Sequence, residues 1–252
     1  MKIKKYFSNT VKSLIALLLT GTIIGFADRK NASNDLCNDI LIRIENQHDN
    51  YFVDDHDIIN KMTAEGDHVL IGTHFDELNF KEIEGRIDEE PFIRNVEVYR
   101  DLKGTLLVNV VLRRPYARIM TDGVDKYLAM DGTFLPKSEK YNTRTIVLSG
   151  AFFENHNQGN LTEVESSLYE ILNFIYNDKF WKAQIAQIDI DEDLNMTIYP
   201  QVTKQVVEFG TPDNYRDKFK KLKIFYKKVL PQKGWNTYER VNLQYKDQII
   251  AE

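Results

Sequence analysis

The 252-residue chain carries 33 Lys and Arg against 38 Asp and Glu, and four of the lysines fall within its first 27 positions, where there is no acid. The remainder therefore holds 29 basic and 38 acidic residues, a net charge of −9, which argues against a general nucleic-acid binder. A single cysteine, Cys37, excludes an internal disulfide, and five histidines without paired spacing argue against a metal centre.

Lys2, Lys4, Lys5 and Lys12 precede an uncharged stretch, Ser13 to Ala27, rich in Leu and Ile, and no comparable segment recurs. Basic residues before a lone apolar segment keep the N-terminus in the cytoplasm and send the rest across the membrane. Residues 1–12 read as a cytoplasmic tail and 13–27 as a transmembrane signal anchor. Fifteen residues cover only ~22 Å of the ~30 Å hydrocarbon core. Counting from Tyr6, with Lys12 snorkelling to the headgroups, gives ~33 Å. A cleaved signal peptide, with Gly25-Phe26-Ala27 as its site, is the competing reading. Residues 28–38 form a polar tether that holds Cys37, an incidental or lipid-proximal thiol.

A first domain is expected over 39–115. Ile40, Ile42 and Ile44 alternate as a strand. Asp54 and Asp55 offer N-caps for a helix with Ile58, Ile59 and Met62 inward and Gly66 beyond its end. Asn79 and Glu82 make a capping-box pattern for a second helix with Phe80, Ile83 and Ile87 buried, closed by Pro91. Val96 and Val98, then Leu106, Val108, Val110 and Leu112, alternate in two strands joined by a hairpin at Asp101 to Gly104.

A second domain is expected over 116–252. Its strongest signal is the hairpin Tyr127 to Met130, Asp131-Gly132, Thr133 to Leu135. Thr145 to Leu148 is a further strand. Thr162 and Glu165 suggest a capping box for a helix with Val164, Leu168, Ile171, Leu172 and Ile175 on one face. Ile188 and Ile190 pair with Met196 and Ile198 across an acidic turn, and Val206 and Val207 belong to another strand. Thr211-Pro212 opens a last helix, with Tyr215, Phe219, Leu222, Tyr226 and Val229 facing the sheet. Val241 to Ile250 reads as one final strand.

No catalytic set emerges. Asp189, Asp191 and Asp193 imitate a calcium loop, but Leu194 stands where glycine is needed and Pro200 where the bidentate Glu belongs. Ser149 lacks the flanking glycine of a nucleophile elbow. Lys218, Lys220, Lys221, Lys223, Lys227, Lys228 and Arg216 on the last helix suit a solvated face, or contact with anionic headgroups or an acidic partner. A strand that ends with the chain suggests a sheet edge open to a partner's strand.

The residues Ile87, Pro91, Phe92, Ile93, Val96, Val98 and Arg100, then Leu106 to Ala117 with Arg113, Pro115 and Ala117, resemble the POTRA domain of the bacterial division family FtsQ/DivIB. Tyr127 to Pro136 resembles the hairpin opening that family's second domain, and Val241 to Tyr245 its closing strand. Leu112, where many members have an acid, and Gln244, at a commonly basic position, depart from the pattern. The fold class implied is α+β: an N-terminal transmembrane helix, a β-α-α-β-β POTRA domain and a mixed, mostly antiparallel β domain with packed helices. The resemblance implies a single-pass inner-membrane scaffold at the division septum, without enzyme activity, cofactor, small-molecule substrate or nucleic acid. Its implied partners are other bitopic division proteins of the FtsB/FtsL type, alongside septal peptidoglycan-synthesis proteins. Carried over, Val241, Asn242, Leu243, Gln244 and Tyr245 form the candidate binding edge, with Val96, Glu97, Val98 and Tyr99 as a second. The alternatives are a POTRA-type periplasmic module for outer-membrane assembly or secretion, and a secreted or anchored hydrolase.

Overall fold

A computed structural model describes residues 35–252. The anchor over 13–27, the tail before it and most of the tether lie outside the described residues. Among the described residues no helix is long and apolar enough to cross a membrane. The chain divides into two compact units: residues up to Glu45 with Val53–Leu112, and Asn46–Phe52 with Arg113–Glu252.

The first unit runs β1 (Asp39–Glu45), α1 (Asp55–Met62), α2 (Phe80–Asp88), β2 (Ile93–Arg100) and β3 (Thr105–Leu112). Its three-stranded sheet has the order β1-β3-β2, with β1 parallel and β2 antiparallel to the central strand. Leu106, Val108, Val110 and Leu112 are buried, as their alternation requires. Asp54 caps α1 reciprocally with Asp57. Ile58 and Met62 are buried, but Ile59 is exposed, because one helical residue further on turns the side chain ~100° away from the core stripe. Asn79 caps α2 through the N–H of Glu82, yet Glu82 turns its carboxylate to Arg86 at 2.8 Å, so the expected box is half made. Arg86 also donates to Lys61 O and Met62 O at 3.1 and 2.7 Å. Its guanidinium thereby satisfies the C-terminal carbonyls of α1 and fastens the two helices. Cys37 is fully buried, and that burial pushes its thiol pKa up.

The second unit begins with β4 (Pro115–Met120), β5 (Asp125–Ala129), β6 (Phe134–Pro136) and β7 (Ile146–Ser149). Helices α3 (Ala151–Asn155), α4 (Leu161–Val164), α5 (Ser166–Asn177) and α6 (Lys179–Gln184) precede β8 (Ile185–Ile190), β9 (Met196–Pro200) and β10 (Val206–Gly210). Then come α7 (Tyr215–Ile224), a π turn (Phe225–Val229), α8 (Leu230–Lys233), β11 (Arg240–Asn242) and β12 (Ile250–Ala251). The strands form one mixed sheet in the order β12-β11-β10-β9-β8-β7-β4-β5-β6. Ile188 pairs with Ile198 and Ile190 with Met196 across the acidic turn. Helices α5 and α7 bury Leu168, Ile171, Leu172, Phe219 and Leu222 in the core of this unit. Around Phe219 gather Trp181 and Phe209, each with ring centroids 4.8 Å away.

Three local expectations are corrected here. Asn160, not Thr162, caps the short α4, and Glu165 caps α5 through the N–H of Ser167; Val164 ends the separate turn and is exposed. Helix α7 starts at Tyr215 rather than Pro212, because Asn214 takes a left-handed conformation (φ 52°) and turns the chain before the first helical residue. The final strand is not continuous. The Asn242 side chain accepts from the N–H of Gln244 at 2.9 Å, and Asp247 adopts φ 59°, so the chain leaves the sheet after β11 and returns only at β12.

Candidate functional site: two sheet edges

Strand addition needs backbone N–H and C=O groups that face outward from a sheet, so each candidate strand is judged by where those groups point.

Strand β11 has no free edge. It pairs in parallel with β10 (Val207 opposite Val241) and antiparallel with β12 (Val241 opposite Ala251, Asn242 opposite Ile250). Leu243 is fully buried, its N–H donating to Glu208 O at 3.0 Å. Gln244 and Tyr245 lie in the loop beyond the strand, and Tyr245 is 49% exposed. Of the five residues assigned to the closing edge, Val241 and Asn242 are thus paired on both sides, which corrects their assignment as the outermost strand.

The edge passes to β12. Arg240 and Glu252 exchange both backbone hydrogen bonds, at 3.1 and 3.0 Å. Antiparallel pairs alternate between bonded and non-bonded, so Val241–Ala251 is a non-bonded pair. The N–H and C=O of Ala251 consequently point away from β11, toward the open side of the sheet.

This short strand is held in place by a network that sequence reasoning missed. Lys221, on α7, donates to Leu243 O, Tyr245 O and Gln248 O at 3.1, 2.6 and 3.3 Å. One ammonium thus gathers the loop that joins β11 to β12, using all three of its protons. At the loop's start, Gly210 (φ 73°) passes close to Gln244: a Cβ there would lie 2.9 Å from Gln244 Cγ. Glu208 on β10 accepts from Asn242 Nδ2 at 2.6 Å and also from Arg240, fixing β11 by its side chains. Two other lysines of α7 are likewise committed. Lys218 is 9% exposed and donates to Thr211 O at 2.8 Å, and Lys223 lies 3.4 Å from the Asp178 carboxylate. The expectation of a uniformly solvated lysine face is corrected accordingly; Lys220, Lys227 and Lys228 are the exposed ones. Helix periodicity placed Lys218 and Lys221 one turn apart, but no local signal says what either reaches.

The second candidate edge, β2, is partly blocked. Glu84 on α2 accepts from the N–H of Val98 at 2.8 Å, so that N–H points outward from the sheet and is already occupied. Val98 is buried, Glu97 is exposed, and Tyr99 directs its hydroxyl to Asn109 Nδ2 at 3.0 Å. By the same alternation, Val96 is the remaining outward N–H among Val96, Glu97, Val98 and Tyr99.

The side chains weighed for chemistry are occupied structurally. Ser149 donates to Asp189 at 2.6 Å and accepts from Gln187 at 2.8 Å. Asp191 accepts from the N–H groups of Asp193 and Asn195 and so shapes the hairpin turn. Among the described residues no group of three or more His, Cys, Asp or Glu could hold a metal ion.

Comparison with known proteins follows the same division of the chain. Residues 114–252 match the family model described as FtsQ/DivIB, C-terminal related, and residues 35–111 match the POTRA-like domain. A cell division protein FtsQ of Geotalea daltonii is 27% identical over 180 residues, 69% of this chain and 64% of that relative. The cell division protein FtsQ of Syntrophotalea carbinolica is 24% identical over 178 residues, 68% of this chain and 62% of that relative. The matched region thus spans less than two thirds of either relative's length.

Proposed function

The chain belongs to the FtsQ/DivIB-related family, and from that premise we propose that it is a non-enzymatic scaffold of the bacterial division machinery. In this reading residues 13–27 anchor it in the inner membrane, and the POTRA and β domains work outside the cytoplasm. It links other bitopic division proteins of the FtsB/FtsL type, and with them septal peptidoglycan synthesis, by accepting a strand at the C-terminal edge of the large sheet. That both relatives are cell division proteins supports the process. The observation that carries the mode of binding is the outward N–H and C=O of Ala251 on the terminal strand β12. Ile250, its neighbour in the strand, and Tyr245, in the preceding loop, are 39% and 49% exposed, offering side-chain contacts that main-chain pairing alone lacks.

The test places a photo-crosslinking residue at Tyr245, and separately at Ile250, in dividing cells. Capture of a small single-span division protein from either position is the expected result. Capture from Val96 but from neither of these would transfer the interface to the POTRA edge and overturn the proposed mode.

A further inference from the structure

The second unit contains a cleft of about 740 Å³ that the strand-addition reading does not use. One wall is the segment Asn46–Phe52, which precedes most of the first unit in sequence but belongs to the second unit in space. That wall is pinned. Arg114 donates to His48 O at 3.2 Å and Asn50 donates to Arg113 O at 3.0 Å. The Phe52 ring meets Tyr127 and Tyr141 edge-on at 5.3 and 5.0 Å. The cleft is thus largely preformed, and its volume lies within the ~300–1,000 Å³ range of ligand sites.

Its charge is the informative property. Arg114, Arg144 and Lys182 line it, and none of the three is paired with a carboxylate among the described residues. Elsewhere Arg86, Arg113, Arg118, Lys223 and Arg240 each have a carboxylate partner. The lining's one acid, Asp49, is mostly exposed and faces His48 at 3.4 Å. Lys182 is oriented by the Tyr176 ring, 3.8 Å below its ammonium, and the Arg144 guanidinium approaches Gln201 at 3.5 Å. Three like charges around one concavity repel one another, and a bound anion relieves that repulsion while the cleft walls focus the field. The same lining includes apolar and aromatic residues, among them Pro115, Tyr116, Ile175 and Tyr176, alongside the polar Thr143 and Thr145.

We infer that this cleft binds carboxylates presented on an acidic peptide segment. Guanidinium groups match carboxylates two bonds at a time, and the aromatic floor suits apolar residues alternating with the acids. A free polycarboxylate such as citrate supplies the charge but nothing for the apolar floor.

The experiment uses the full chain in mild detergent and fluorescence anisotropy with three probes: labelled acetyl-Glu-Leu-Glu-Phe-Glu-amide, its Gln counterpart, and citrate as competitor. Saturable binding of the Glu peptide is expected, about tenfold weaker for the Gln peptide and for Arg114→Gln/Arg144→Gln/Lys182→Gln. Arg144→Gln/Lys182→Gln alters two exposed side chains only, so its expected several-fold loss is read on a protein whose fold is undisturbed. Equal binding of the Gln peptide, full binding by either variant, or no saturable binding would overturn the proposal. Citrate competing as tightly as the peptide binds would overturn the peptide assignment. None of these outcomes bears on the edge at Ala251, so the scaffold reading is judged separately.

Discussion

The two outermost strands considered as docking edges, β2 and β12, are opposites. Strand β2 is eight residues long, yet a helix carboxylate occupies its outward N–H at Val98. Strand β12 is two residues long, and the outward groups of Ala251 face an open side. A long bare edge invites indiscriminate pairing, so covering it limits aggregation, whereas a very short edge is a small hazard and can be left open. A short edge has its own weakness, since so few hydrogen bonds cannot hold it. Lys221 supplies the missing restraint from a neighbouring helix. The difference between the edges therefore lies less in the strands than in single side chains outside them.

The sharpest way to break this comparison is Ala251→Pro. Proline removes the outward N–H without touching the bonds between β11 and β12, and edge strands tolerate it. Partner capture by a crosslinker at Ile250 should fall at least about tenfold, with the thermal midpoint nearly unchanged. Undiminished capture would mean that the partner does not pair with this strand. Next in size is Lys221→Met, which leaves three carbonyls without their shared donor. Amide hydrogen exchange across 243–249 should accelerate about tenfold, while strands β7 to β9 keep their protection. Unchanged exchange would show that Lys221 does not restrain the loop.

A smaller effect is expected at the other edge. Glu84→Ala frees the Val98 N–H, which costs about 1–2 kcal/mol as the loss of a hydrogen bond to a charged acceptor. The variant should also self-associate at concentrations where the parent does not, detectable by sedimentation velocity. A monomeric variant with unaltered exchange at Val98 would show that the β2 edge is protected by something other than this carboxylate.

What the sequence disclosed follows from the range of each interaction. The alternation of Leu106 to Leu112 and the Asp54 cap depend on neighbours within a few residues, and both appear as expected. Around Asn160 several oxygen-bearing side chains compete within six positions, so the capping pattern was visible while the residue that caps was not. The closing strand misled for a different reason. Its apolar residues run on to Ile250, but the break depends on the side chain of Asn242 and on Lys221, more than twenty residues earlier. The region of the C-terminal edge was therefore legible and its outermost strand was not. Glu84 beneath Val98, and Asn46–Phe52 lining a cleft in the second unit, are contacts between elements that no local pattern announces.

The last prediction separates the restraint by Lys221 from a general effect of burying lysines on α7. Lys218 lies one turn away, donates to Thr211 O, and sits 5.1 Å from the centre of the Phe209 ring without touching the loop. Burial holds its ammonium below the usual lysine range, opposed by Asp213 and assisted by Lys221. In the window between the folded pKa and 10.5 the unfolded chain binds more protons than the folded one, so this group makes stability rise with pH there. Below that window both states are charged and the burial penalty is present in full. Lys218→Met should change stability at pH 7 by no more than about 1 kcal/mol, because replacing a buried charge with a similar apolar volume is often neutral. The stability of the parent relative to this variant should climb as pH approaches 10.5, measured by denaturant unfolding at a series of pH values. Exchange across 243–249 should not change. If it rises as far as in Lys221→Met, the loop responds to the packing of α7 as a whole, and the contrast between the two edges no longer rests on one ammonium.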